Sequence, residues 1–72
     1  MNKQANKVMK WNGAIMNEKM EVLFTVANND LGALIAEMND RAKTIVESFK
    51  IDVQTLRVRD NESGQKMFRA YA

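Results

Sequence analysis

The chain has 72 residues, with 11 basic and 9 acidic side chains and a formal net charge of +2. It contains neither cysteine nor histidine, which excludes disulfide bonds and the zinc sites that these residues build. A hydrophobic fraction of 46% is typical of a folded domain and not of a disordered chain. We therefore expect one domain over 1–72, with 1–5 as a flexible N-terminus, held together by apolar packing within the chain or by packing shared with a second copy.

The first five residues are polar and lack the apolar segment of a signal peptide. No apolar run is long enough to cross a membrane. The sequence therefore predicts a cytoplasmic protein that does not bind membranes. Its charges are distributed unevenly, since the stretch 20–49 is acidic and both ends are basic.

A two-residue apolar period predicts the first hairpin. Four apolar side chains are expected to point inward from one strand: Met20, Val22, Phe24 and Val26. Upstream, Met9, Trp11 and Ile15 indicate its partner strand. The dipeptide Asn12-Gly13 is a strong two-residue turn signal. A turn at Asn17-Glu18-Lys19, with Gly13 as a β-bulge, gives strands of better matched length and is the favoured alternative.

The clearest predicted element is a helix over about 30–49. Its apolar side chains recur at steps of three and four: Leu31, Leu34, Ile35, Met38, Ala42, Ile45, Val46 and Phe49. Asn28, Asn29 or Asp30 can cap its first turn, and Asp30 also suits the positive end of the helix dipole.

A second hairpin is predicted after the helix. Between Gln54 and Asp60, Leu56 and Val58 point one way while Arg57 and Arg59 point the other. The turn formers at 60–64 precede a last strand at 66–71. In that strand, Phe68 and Ala70 are expected to point inward, and Met67, Arg69 and Tyr71 outward.

The element order ββαββ predicts an α+β fold, in which a four-stranded antiparallel sheet carries one helix packed on one face. The second face is then solvated or binds a partner. It is predicted to display Lys10, Glu21, Leu23, Thr25, Arg57, Arg59, Met67, Arg69 and Tyr71. The residues expected to contact a partner are Lys10, Arg57, Arg59, Lys66, Arg69 and Tyr71.

Three interpretations of this basic face remain open. Arginine and tyrosine are enriched at protein interfaces. Cations and aromatic rings together also hold single-stranded nucleic acid. Alternatively, the basic side chains serve only solubility and protection against edge pairing. A secondary candidate is the acidic helix face formed by Glu37, Asp40 and Glu47. This face either binds a basic partner or is only a solvated surface of ion pairs.

The residues for catalysis are missing. Histidine and cysteine are absent, and neither Ser48 nor Ser63 lies in a nucleophile-elbow pattern. The stretch 60–62 lacks the spacing of a calcium loop, and no glycine-rich phosphate loop is present. We therefore predict a protein that is not an enzyme and that needs no metal and no cofactor.

Two stretches resemble small bacteriophage-encoded inhibitors of host defence, a class that includes anti-CRISPR proteins and antitoxin-like inhibitors of RNase toxins. The stretch DRAKTIVESFKIDVQTLRVRDNESGQKMFRAYA, residues 40–72, looks like the helix-to-hairpin half of such proteins. The stretch KVMKWNGAIMNEKMEVLF, residues 7–24, is similar in layout to the opening hairpin of a phage antitoxin. The resemblance implies steric inhibition of a host complex, without turnover or cofactor, in the cytoplasm of a bacterial host cell.

The first hypothesis is accordingly a non-catalytic protein-binding module that occludes a host protein or nucleoprotein complex. The alternative is a small protein that binds RNA or single-stranded DNA on the same face. A third option is a homodimer in which two open faces pack together.

Overall fold

The computed structural model describes residues 9–71 and shows the predicted α+β fold. The elements in chain order are β1 (Trp11–Met16), β2 (Val22–Asn28), α1 (Leu31–Ser48), β3 (Thr55–Asp60) and β4 (Lys66–Ala70). The four strands form one antiparallel sheet in the order β2-β1-β3-β4. The predicted flexible segment 1–5 lies outside the described residues.

The first hairpin turns at Asn17, as the favoured alternative predicts. The backbone N–H of Met20 donates to the carbonyl of Asn17 at 3.0 Å, and the N–H of Asn17 donates to the carbonyl of Glu21 at 3.1 Å. The Asn17 side-chain oxygen also accepts from the N–H groups of Lys19 and Glu21. Met20 closes the turn in the left-handed region, with φ of 63°.

The predicted bulge at Gly13 is wrong. Gly13 pairs in regular register with Val26 and Val58, while the register shift falls between Ile15 and Met16. There β2 holds the extra residue, Leu23. A bulge places one more residue on its strand and so breaks the two-residue alternation at that point.

The bulge also overturns part of the predicted inward set. Val22 pairs with Met16, on the sheet side opposite Ile15 and the helix. Val22, Phe24 and Met20 are all exposed. Only Val26 of that set is buried. The bulge turns Val22 away from the helix, whereas Phe24 pairs with Ile15 and lies on the helix side as predicted, although it is 41% exposed.

The predicted helix is confirmed within one residue at each end. Asp30 is its N-cap, and its carboxylate accepts from the N–H of Gly32 at 3.2 Å. At the C-terminus the N–H groups of Phe49 and Ile51 both donate to the carbonyl of Ile45. Phe49 was expected to point inward but is 65% exposed, because the chain leaves the helix there.

The core lies between α1 and the sheet. Its buried side chains are Ile15, Val26, Leu34, Met38, Ala42, Val53, Leu56 and Val58. Trp11 and Tyr71 are half-buried against it. The helix packs on β1 and β2. Strand β4 is the edge strand farthest from the helix, and every residue of β4 is exposed.

Candidate binding site on the open sheet face

The side of the sheet that faces away from α1 is called the open face here. Directly paired residues of antiparallel strands point to the same side, so the register assigns its members. They are Asn12, Ala14, Met16, Val22, Thr25, Ala27, Thr55, Arg57, Arg59, Lys66, Phe68 and Ala70.

The centre of the open face is apolar. Ala14 and Met16 are buried, although they alternate with the helix-side core and do not belong to it. Val22 and Phe68 lie on the same face and are 48% and 55% exposed. The apolar surface that the open face offers to a partner therefore comes from Val22 and Phe68, on the two edge strands, since Ala14 and Met16 are covered within the domain.

Three cations share this face. Arg59 lies directly opposite Lys66, and Arg57 lies opposite Phe68. Among residues 9–71 these three cations form no ion pair, and no member of the open face is acidic. Like charges placed directly opposite each other destabilise a sheet. The pair of Arg59 and Lys66 therefore lowers the stability of the isolated domain.

Arg57 carries a second unmet requirement. Its Nε atom is buried and has no hydrogen-bond partner within the described residues. Its strand neighbours on this face are Ala14 and Phe68, which offer no side-chain acceptor. A buried donor without a partner costs about 1–3 kcal/mol, which an acceptor from a bound partner would offset if the guanidinium turned outward to meet it.

Lys10 was expected on the open face, and that placement is wrong. Its ammonium lies 3.0 Å from the Glu62 carboxylate and 3.3 Å from that of Asp60, and 5.0 Å from the centroid of the Trp11 ring. The hydrogen bond with Glu62 is the main reason that the pKa of Lys10 is raised. The charge of Lys10 is therefore used to join the start of β1 to the β3–β4 turn.

The same cluster stabilises the Asp60 carboxylate. Its pKa is lowered, chiefly because the backbone N–H of Glu62 donates to it at 2.9 Å, and further because of Lys10. Asn61 completes the junction by donating from its side chain to the carbonyl of Met9. This end of the sheet is accordingly structural.

The predicted orientation of the last strand is also wrong. Arg69 pairs with Leu56, and Met67 pairs with Val58, so both point to the helix side of the sheet. Tyr71 packs against the core cluster. Arg69 and Tyr71 are therefore separated from Arg57 by the sheet itself.

The converse error concerns Phe68 and Ala70, which were expected inward and lie on the open face. Two further side chains assigned to this face are placed elsewhere. Leu23 packs against the core, and Glu21 is held at the hairpin turn by the side chain of Asn17. Of the predicted partner-binding residues, the structure brings together Arg57, Arg59 and Lys66.

The acidic helix face is interrupted by cations. Glu37 lies 3.7 Å from Arg41, whose guanidinium also sits 5.6 Å from the centroid of the Phe24 ring. Asp40 and Glu47 are exposed. The helix therefore presents scattered negative charges and no continuous acidic surface.

Within residues 9–71 no pocket is found, and no group of three or more acidic side chains is close enough to hold a metal ion. No helix in this part of the chain is long and apolar enough to cross a membrane. Comparison of the sequence and the fold with protein-family models, with curated proteins and with solved structures finds no match.

Proposed function

We propose that the chain is a non-catalytic binding module that docks a protein partner on the open face. The observation that carries this proposal is made on residues 9–71: an exposed Phe68 lies beside three cations, Arg57, Arg59 and Lys66, which form no ion pair there and share the open face with no acidic side chain. The partner surface that fits is an apolar patch bordered by carboxylates.

The physical gain from such a partner has two sources. Covering the exposed part of Phe68 and Val22 removes apolar surface from water, at roughly 25 cal/mol per Å². Carboxylates placed between Arg59 and Lys66 would turn a repulsive pair into two charge-assisted hydrogen bonds. Arginine and aromatic side chains supply most binding hot spots for these reasons.

The resemblance to phage inhibitors leads to a finer proposal about what the binding does. A rigid domain that covers a surface of a host defence complex would block it by occlusion. This mode of action requires contact area and no turnover.

The test is an affinity purification from bacterial lysate with three versions of the tagged protein. The face variant carries Arg57→Glu, Arg59→Glu and Lys66→Glu. The matched control carries Lys19→Glu, Lys43→Glu and Lys50→Glu, which changes the net charge equally at exposed positions off the open face. We expect a stoichiometric protein that wild type and control retain after nuclease treatment and that the face variant loses.

Because Arg57 is half-buried, its reversal needs a fold control. The double variant Arg59→Glu and Lys66→Glu changes exposed side chains only, and circular dichroism melts of all variants show which remain folded. A folded face variant that retains the same partner at wild-type yield would refute docking on this face.

One observation favours a second candidate, the binding of single-stranded nucleic acid. The Phe68 ring is 55% exposed and lies beside Arg57, Arg59 and Lys66, so it could stack on a base while the cations contact phosphates. Three phosphate contacts predict roughly a 20-fold loss of affinity between 50 and 200 mM salt. Fluorescence anisotropy with labelled oligo-dT and oligo-U measures this loss, and the absence of binding at 50 mM salt would exclude the candidate.

A further inference from the structure

Strand β4 forms one edge of the sheet, and its side chains are exposed on both faces of the sheet. All five of its residues are exposed. The helix packs on β1 and β2, towards the opposite edge of the sheet. An edge of this kind presents unpaired backbone N–H and C=O groups to which a further strand can bind.

The hydrogen bonds at the two ends of the β3–β4 ladder show which backbone groups point outward. The N–H of Asp60 donates to the carbonyl of Gln65 at 2.8 Å, and the N–H of Tyr71 donates to that of Gln54 at 2.9 Å. Antiparallel ladders alternate, so the odd-numbered residues of this strand face β3. The backbone groups that point away from the sheet are those of Lys66, Phe68 and Ala70.

The opposite edge, β2, is less suited to strand addition. It contains the bulge at Leu23, and its lack of charged side chains gives an acidic segment no opposite charge to pair with. From the helix, Arg41 reaches over Phe24 on this strand. Bulges interrupt the regular template that an added strand needs, whereas β4 pairs with β3 in unbroken register.

The charges around β4 select the occupant. Lys66 projects to the open face and Arg69 to the other face, with Arg57 and Arg59 on the neighbouring strand. The one acidic side chain of this hairpin's strands, Asp60, is already bound to Lys10. A second copy of the chain would bring two sets of cations together, whereas an acidic strand would find opposite charges on both faces.

We infer that β4 receives an extended acidic segment of a protein partner as a fifth strand of the sheet. This inference rests on the proposed protein-binding function and names its mode. The segment would place carboxylates opposite Lys66 and Arg69, and β-branched side chains opposite Met67 and Phe68. Main-chain hydrogen bonds supply affinity in this mode, and the alternating side chains supply specificity.

The probe is the peptide acetyl-Thr-Glu-Val-Val-Glu-Thr-amide, whose glutamates face Lys66 and Arg69 in an antiparallel register. Its control replaces both glutamates with lysine. In ¹⁵N-¹H correlation spectra of the full chain, we expect the largest downfield shifts at the outward amides of Lys66, Phe68 and Ala70. The lysine peptide should bind about tenfold more weakly.

Two variants isolate the backbone and the charge contributions. Ala70→Pro removes an outward N–H and no ladder bond, and Ala70→Gly is its matched control because it keeps that N–H. We expect the proline variant to lose about tenfold in affinity and the glycine variant to stay close to wild type. If proline unfolds the edge, Lys66→Glu with Arg69→Glu tests the same site, since it should reverse the preference between the two peptides.

Four results would overturn the inference. Glutamate-peptide shifts centred on Ala14 and unchanged by Ala70→Pro would place binding on the open face alone. Equal binding of both peptides would rule out the preference for an acidic segment. A stable dimer in light scattering that Ala70→Pro dissociates would make a second copy the occupant. Capture of the lysate partner by Ala70→Pro but not by the face variant would refute strand addition and leave the proposed function intact.

Discussion

Replacing Gly13 with alanine tests how the helix is seated on the central strand. Gly13 is buried in β1, and a Cβ atom built there would overlap the Sδ of Met38 and lie 2.9 Å from its Cε and 3.1 Å from its Cγ. Met38 is 1% exposed, so its side chain can make room only by displacing other core atoms. Glycine is therefore favoured at this position by the close approach of the Met38 side chain, which would have to shift within the core to admit a methyl group, although the strand backbone itself is regular there.

The expected cost follows from two opposing effects. Overpacking a core by one methyl group costs about 1–3 kcal/mol. Alanine restricts the unfolded chain more than glycine does, which returns about 0.4–1 kcal/mol. Gly13→Ala should therefore lower the free energy of unfolding by roughly 1–2 kcal/mol, measured by urea denaturation with an unchanged m-value. In a domain of this size, each 1 kcal/mol corresponds to about 4–8 °C in Tm.

A double-mutant cycle with Met38→Val tests the cause. Valine lacks the Sδ and Cε atoms that lie closest to the added methyl group. If the overlap is the reason for the cost, Gly13→Ala should be less destabilising by at least about 0.5 kcal/mol in the Met38→Val background. Equal costs in the two backgrounds would refute the reasoning.

Three further changes probe the turns and the charged junction. Met20→Gly and Lys50→Gly replace side chains at φ of 63° and 59°, and each should raise the free energy of unfolding by about 0.5–1 kcal/mol in denaturant melts, because glycine adopts this region without steric cost. Asp60 has a lowered pKa, so its stabilising effect is present above its ordinary value of 3.8 and is lost as pH falls through the folded-state pKa. Asp60→Asn should therefore flatten the loss of Tm in acid, and an acid profile unchanged from wild type would contradict this role.

The sequence predicts the element order well because each signal is local. The helix carries a complete 3.6-residue period, and Asp30 caps it as expected. The hairpin turn at Asn17 was found through strand length. The bulge at Leu23 carries no such signal, since neither glycine nor a polar residue marks it, and the prediction assigned it to Gly13 instead.

The members of the open face were predicted only where burial fixes the orientation of a strand. Leu56 and Val58 are buried, so Arg57 and Arg59 had to point away from the helix. In β4 the neighbours Met67 and Phe68 are both apolar and both exposed, so the sequence does not choose between them. The apolar centre of the open face was missed because it, too, lies in a run of neighbouring apolar residues.

That centre comes from the second half of β1, where three consecutive apolar residues are buried: Ala14, Ile15 and Met16. Such a run indicates a strand covered on both sides. In this chain the helix covers the side of Ile15, while Ala14 and Met16 lie on the open face. The run was the available signal that the second face has apolar character.

The position of the cations favours the proposal of a binding face over a purely protective role. Lysine and arginine commonly protect the exposed edge strands of a sheet against unwanted pairing. Arg57 and Arg59 lie on β3, which is paired on both sides and has no edge to protect. Protection of an edge also gives no reason to leave the Nε atom of Arg57 buried without an acceptor. Solubility would be served by an exposed lysine such as Lys43 on the helix. The arrangement on β3 is therefore better explained by a partner that supplies carboxylates to the open face.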